Sequence, residues 1–134
     1  PANGEVAWVS PEKVEYKPGC PAGARSIMNH CLVITTCPDG ETAANLARIL
    51  VEARLAACVN IVPGVRSIYR WKGELVTDHE HLLLAKTRSD VYPQLEAAIR
   101  ANHPYELPEV VMVPMAQGST EYLNWLNSVL DNTQ

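Results

Sequence analysis

Phenylalanine is absent from these 134 residues, and five Tyr and three Trp make up an aromatic share of only 6%. Modules that stack RNA bases on aromatic strand residues lack their means here, because the apolar run Cys31 to Cys37 contains no aromatic ring. Positive charge is also in short supply. Eleven Lys and Arg against fifteen Asp and Glu leave a net charge of −4, so no overall field draws the molecule to phosphate backbones or anionic lipid. Long apolar runs are missing as well: Leu82 to Ala85 and Val110 to Val113 fall far below the roughly 18 residues that span a bilayer. The expectation is a soluble protein with neither nucleic acid nor membrane as partner. Cys20, Cys31, Cys37 and Cys58 form no C-x-x-C pair, and the first 30 residues lack the basic start and apolar stretch of a signal peptide. A reducing, cytoplasmic compartment is therefore expected. Finally, no Gly-rich phosphate loop, G-x-S-x-G elbow or H-E-x-x-H motif occurs, so an enzyme is not indicated.

What is present suits one domain: 47% hydrophobic and 19% charged residues can close a single core. Residues 1–30, rich in Pro and carrying one β-like run from Glu5 to Val9, read as an arm or extension; residues 31–134 read as the domain. Cys31 to Cys37 is a β-rich run closed by Pro38-Asp39-Gly40, as for a strand buried on both faces. Asp39 can cap a helix whose Ala43, Leu46, Ala47, Leu50 and Val51 share one face, reaching about Leu55. Cys58 to Trp71, interrupted by a bulge or bend at Pro63-Gly64, and Leu75 to Thr87 form a long hairpin turning at Lys72-Gly73. A second helix begins at Ser89 or Asp90 and ends at about Asn102. Val110 to Val113 is a strand, and Gly118-Ser119 opens a last helix. The order is β-α-β-β-α-β plus a C-terminal helix, an α+β, ferredoxin-like arrangement. Two helices cover one sheet face, and the apolar character of the strands requires the other face to be covered too, which implies an oligomer.

Few residues stand out chemically. Strand alternation puts His79 and His81 on one face, a weak metal signal beside the plainer reading of two solvated imidazoles. His103 sits at a helix end, where a capping role outweighs ligation. Cys37 lies between a strand and the Asp39 cap, where a helix N-terminus would lower its thiol pKa, although a structural role leads. Tyr69, Trp71, Tyr92, Tyr105, Tyr122 and Trp125 are each accounted for by packing.

Several linked blocks resemble the CutA divalent-cation tolerance family. They are Leu55-Ala56-Ala57-Cys58-Val59-Asn60, Ile61-Val62-Pro63-Gly64, Ser67-Ile68-Tyr69-Arg70-Trp71-Lys72-Gly73, Leu83-Leu84-Ala85-Lys86-Thr87, His103-Pro104-Tyr105-Glu106-Leu107-Pro108-Glu109-Val110 and Tyr122-Leu123-Asn124-Trp125-Leu126. The resemblance implies a homotrimer with inward-facing sheets and long hairpins that exchange edge pairing, similar to PII-type signalling proteins. It also implies a link to copper or another divalent cation. Some members are described with a copper site built from a strand-one Cys and a His-His pair. At those positions stand Thr35, Asn102 and His103, and Cys37, two residues beyond Thr35 on the same strand face, is a candidate substitute. Thr hydroxyl and amide groups are poor ligands for a soft or borderline metal. Lys86, Tyr105 and Glu109 are expected to line an intersubunit cleft, with a structural Lys86–Glu109 ion pair as the equal alternative. The implied function is non-enzymatic divalent-cation tolerance with metal or small-ligand binding. The alternative is a PII-like effector sensor that signals to a partner protein.

Overall fold

The computed structural model describes residues 29–134. The arm, its Glu5–Val9 run and Cys20 lie outside the described residues. Strand β1 (His30–Cys37) leads into helix α1 (Gly40–Glu52), then strands β2 (Cys58–Trp71) and β3 (Glu74–Arg88), helix α2 (Tyr92–Ala101), strand β4 (Val111–Pro114) and helix α3 (Thr120–Leu130). The four strands form one antiparallel sheet in the order β2-β3-β1-β4. This is the α+β, ferredoxin-like layout.

Alternation along β1 and β3 divides the sheet into two faces. Cys31↔Thr87, Val33↔Ala85, Thr35↔Leu83 and Cys37↔His81 project to one side, and Leu32↔Lys86, Ile34↔Leu84 and Thr36↔Leu82 to the other. On the first face the strand residues Cys31, Val33, Leu83 and Ala85 pack with Ala43, Leu46 and Leu50 of α1 and Leu95 and Ile99 of α2. Each fully buried leucine there contributes roughly 1.5–3 kcal/mol. Among the described residues, the second face carries only α3, at one end. The Arg88 guanidinium forks to Asp131 (2.8 Å) and Asp90 (3.0 Å), His30 Nε2 meets Asn127 Oδ1 at 2.9 Å, and Leu126, Val129 and Leu130 close over Ala57 and Val91. Leu32, Ile34, Leu82 and Leu84 stay only half-buried within one chain.

The element boundaries differ from expectation where local chemistry intervenes. His30, assigned by sequence to the arm, is the first residue of β1. α1 stops at Glu52 rather than near Leu55, because Arg54 adopts φ 58° and the N–H groups of Leu55 and Ala56 both return to the Leu50 carbonyl. α2 begins at Tyr92, with Pro93 in its first turn, because Asp90 is engaged by Arg88 and does not cap.

Candidate functional site

The hairpin builds the site through a change of register. Before Pro63-Gly64, Asn60↔Leu84 and Val62↔Leu82 point to the open face; after it, Val65↔Glu80, Ser67↔Asp78 and Tyr69↔Val76 do so. The three-residue step from Val62 to Val65 spans only the two from Leu82 to Glu80, so one extra residue inverts the alternation of β2. Gly64, with φ 78°, provides the backbone geometry the bulge needs. Without the extra residue, Arg66, Ile68 and Arg70 would share a face with Glu80. With it, Ser67, Tyr69 and Trp71 do.

The segment after α2 closes the other side. Pro104 to Glu109 lies beside the hairpin and leaves a groove of about 960 Å³ lined by Thr36, Ser67, Ile68, Tyr69, Trp71, Glu80, Pro104, Tyr105, Glu106, Leu107, Pro108 and Glu109. That volume falls in the range of small-ligand sites. Glu80 is its deepest charge at 6% exposure, and the Tyr105 hydroxyl donates to its Oε2 at 2.7 Å. The Tyr69 hydroxyl donates to Asp78. Burial, then the hydrogen bond to Glu80, then the negative charges of Glu80 and Asp78 push the Tyr105 phenol well above its ordinary pKa. Burial and the Glu80 charge likewise hold the Glu109 carboxyl above its usual range.

His103 stands behind this groove with both ring nitrogens occupied. One nitrogen, Nε2, lies 2.7 Å from the Thr36 carbonyl, which can only accept, and Nδ1 accepts the Tyr105 backbone N–H at 3.1 Å. These partners assign the neutral tautomer with its proton on Nε2. The imidazole thereby ties the Pro104–Glu109 segment to the end of β1 and orients Tyr105.

The residues in the family's copper positions do not converge on an ion. Thr35 is buried on the core face, with an Oγ1 that has no partner. Asn102 turns its amide back to the Ala98 carbonyl at 2.8 Å. Cys37 Sγ approaches His103 Nε2 at 3.9 Å, but that nitrogen carries the proton given to Thr36. Nor does the α1 N-terminus lower the Cys37 pKa, as the sequence suggested: burial, with the charges of Asp39 and Glu80, raises it to about 11. Among the described residues no three His, Cys, Asp or Glu side chains are close enough to hold a metal. The described donors therefore do not fit a copper ion within one chain.

Of the three expected cleft residues, the structure brings Tyr105 and Glu109 together and leaves Lys86 apart. Lys86 lies six residues along β3 from Glu80, roughly 20 Å at strand rise, with its ammonium over the Tyr122 ring at 5.6 Å. His79 is exposed, while His81 is half-buried with its Nδ1 unpartnered and its ring against Gly40. The sequence reading overlooked Glu80, Tyr69, Trp71 and Glu106. For Tyr69 and Trp71 a usable signal existed, since a bulge at Pro63-Gly64 implies the inverted alternation that places them beside Glu80.

A ferredoxin-like α+β domain with an overlong, bulged hairpin is the class of protein these elements define. The family model of the CutA1 divalent ion tolerance protein matches residues 31–129, and the chain belongs to that family. It is 55% identical over 95 residues to the divalent-cation tolerance protein CutA of Thermus thermophilus, covering 71% of this chain and 92% of that protein. The crystal structure of CutA1 from Oryza sativa superposes with a TM-score of 0.75 at 40% identity, covering 78% of this chain and 95% of that one. The Arabidopsis thaliana relative named "Protein CutA, chloroplastic" is 44% identical, and the match spans 75% of this chain but 56% of that longer protein. An Archaeoglobus fulgidus structure, titled a periplasmic divalent cation tolerance protein CutA, aligns at 33% identity with a TM-score of 0.74, over 75% of this chain and 98% of that one. These names overturn the cytoplasmic expectation. Free thiols at Cys31, Cys37 and Cys58 describe a redox state, and relatives of this fold carry names from more than one compartment. The names speak of tolerance and not of a reaction. No helix among the described residues is long and apolar enough to cross a membrane.

Proposed function

We propose that this chain serves divalent-cation tolerance as a non-enzymatic homotrimer that binds a small ligand in the hairpin groove and passes its occupancy to a partner, in the manner of a PII-like sensor. The observation that carries the reading is the pairing of a ligand-sized groove around Glu80 with a His103 whose two nitrogens are both engaged in holding that groove's wall. Tyr105 and Glu109 line the ligand site, and Lys86 joins them from a neighbouring copy, because within one chain it lies at the far end of β3. Trimerisation also covers the open sheet face of Leu32, Ile34, Leu82 and Leu84.

The competing reading is direct copper binding at His103 with Cys37, Thr35 and Asn102, favoured by the 3.9 Å approach of Cys37 Sγ to His103. A calorimetric copper(II) titration of the full chain beside His103→Ala separates the two. The sensor reading expects copper heats indifferent to the substitution. Saturable micromolar or tighter binding that disappears in the variant returns the site to His103.

A further inference from the structure

Beyond the bulge the hairpin has two unlike sides. The groove side holds Glu74, Asp78 and Glu80 and no cation, whereas the opposite side holds Arg66↔His79, Ile68↔Thr77 and Arg70↔Leu75 and no acid. That opposite side continues the sheet face packed by α1 and α2, since His79, Thr77 and Leu75 follow His81, Leu83 and Ala85 at period two along β3. The helical cover stops short of it. All six side chains are exposed, Ile68 and Leu75 to 68% and 69%, although Ile68 also borders the groove on the edge strand β2. Among the described residues neither Arg66 nor Arg70 has an acidic partner, while Lys72 at the turn is taken by Glu106. Copies that associate through the open face leave this side outward, with the helices.

On a molecule of net charge −4, two unpaired guanidinium groups beside exposed aliphatic side chains form a selective surface. They attract a few discrete carboxylates, and the surrounding negative charge opposes phosphate polymers and anionic bilayers. Arg66, Ile68 and Arg70 point the same way at alternate positions, which sets the two cations roughly 13 Å apart along the strand with the isoleucine between them. An extended chain with acids at i and i+4 and an apolar residue at i+2 has the same repeat. We propose that this outer hairpin face docks an extended acidic segment of a partner protein, with its carboxylates on Arg66 and Arg70 and its apolar side chain on Ile68 and Leu75. Arg–carboxylate pairs are charge-assisted and bidentate, so they fix the register of such a segment.

The surface supplies the partner contact of the sensor reading and so rests on it, but its test does not involve the groove. The full-length protein, ¹³C-labelled at its Ile and Leu methyl groups, is titrated with the acetylated and amidated peptides Glu-Thr-Val-Thr-Glu, Gln-Thr-Val-Thr-Gln and Lys-Thr-Val-Thr-Lys. The Ile68 and Leu75 signals are identified by their loss in Ile68→Val and Leu75→Val. The acidic peptide is expected to shift both saturably, about tenfold more tightly than the Gln peptide, and the Lys peptide to shift neither. Arg66→Gln and Arg70→Gln, exposed substitutions, should each weaken the acidic peptide about tenfold, as for a lost charge-assisted contact. Equal binding of the Glu and Gln peptides, acidic binding unaffected by both substitutions, or no shift at millimolar peptide overturns the proposal. Tighter binding of a single-stranded oligonucleotide or of phosphatidylserine vesicles overturns the peptide class, and nuclear Overhauser contacts from residues 1–28 to Leu75 overturn the partner by making that segment the occupant. Each of these results leaves the groove reading standing. That reading falls separately, on saturable copper binding lost in His103→Ala.

Discussion

Single residues carry the clearest thermodynamic signatures. The Thr35 hydroxyl is buried in the core without a partner, so Thr35→Val removes an unpaired polar group at nearly constant shape. The variant should gain about 1 kcal/mol in urea denaturation, and a loss of stability would mean that the hydroxyl has a partner. Burial raises the Cys31 thiol to about 12 and the Cys37 thiol to about 11, from an ordinary 9.0. Above pH 9 the unfolded chain releases these protons while the folded chain keeps them. Stability contributed by the neutral thiols is thus full below pH 9 and is lost as pH rises toward 11. The fall should flatten in Cys31→Ala/Cys37→Ala, as measured by denaturation at a series of pH values. In the same native protein, iodoacetamide at pH 8 should label Cys58 and spare Cys31 and Cys37, with mass spectrometry as the readout.

At the scale of elements, the hairpin and the last helix each depend on a local device. Lys72 and Gly73 both have positive φ, 49° and 85°, which is the geometry of a two-residue hairpin turn. Gly73→Ala should cost about 1 kcal/mol and weaken the outer rungs around Trp71, seen as faster amide exchange there. Ser119 accepts the Tyr122 N–H at 3.2 Å, and its replacement by Ala should cost about 1 kcal/mol, with exchange rising in α3 and unchanged in the hairpin. These elements were also the legible part of the sequence. Period-two runs, Asp39, Lys72-Gly73 and Ser119 mark strands, caps and turns by chemistry confined to a few neighbouring residues. Pro63-Gly64 even announced the bulge. The groove was less legible because Tyr105 meets Glu80 across 25 residues of chain, and His103 meets Thr36 across 67. A motif scan treats Glu80 as the residue between two histidines. Only the fold reveals that it is the buried member of the three, facing away from both.

For the whole molecule, the unbalanced sheet is the dominant feature. Among the described residues, one face holds two helices and a closed core, while the other presents Leu32, Ile34, Leu82 and Leu84 half-covered beside an exposed Val111. Association of copies through this face is the account's explanation for a chain of modest length carrying so long a hairpin. Native mass spectrometry should find three copies, and Leu84→Asp should shift the population to monomer with secondary structure retained. A monomeric parent protein would contradict the assembly.

The central claim is that the groove, and not the His103 ring, receives the ligand, and one labelled sample tests it. The His103 ring nitrogens are followed by NMR while copper(I) or zinc(II), both diamagnetic, is added to the labelled protein. The ring is expected to stay in its neutral tautomer, with Nε2 donating to the Thr36 carbonyl and Nδ1 accepting the Tyr105 N–H. A saturable shift of either His103 nitrogen on adding metal would contradict this and restore His103 as a metal ligand.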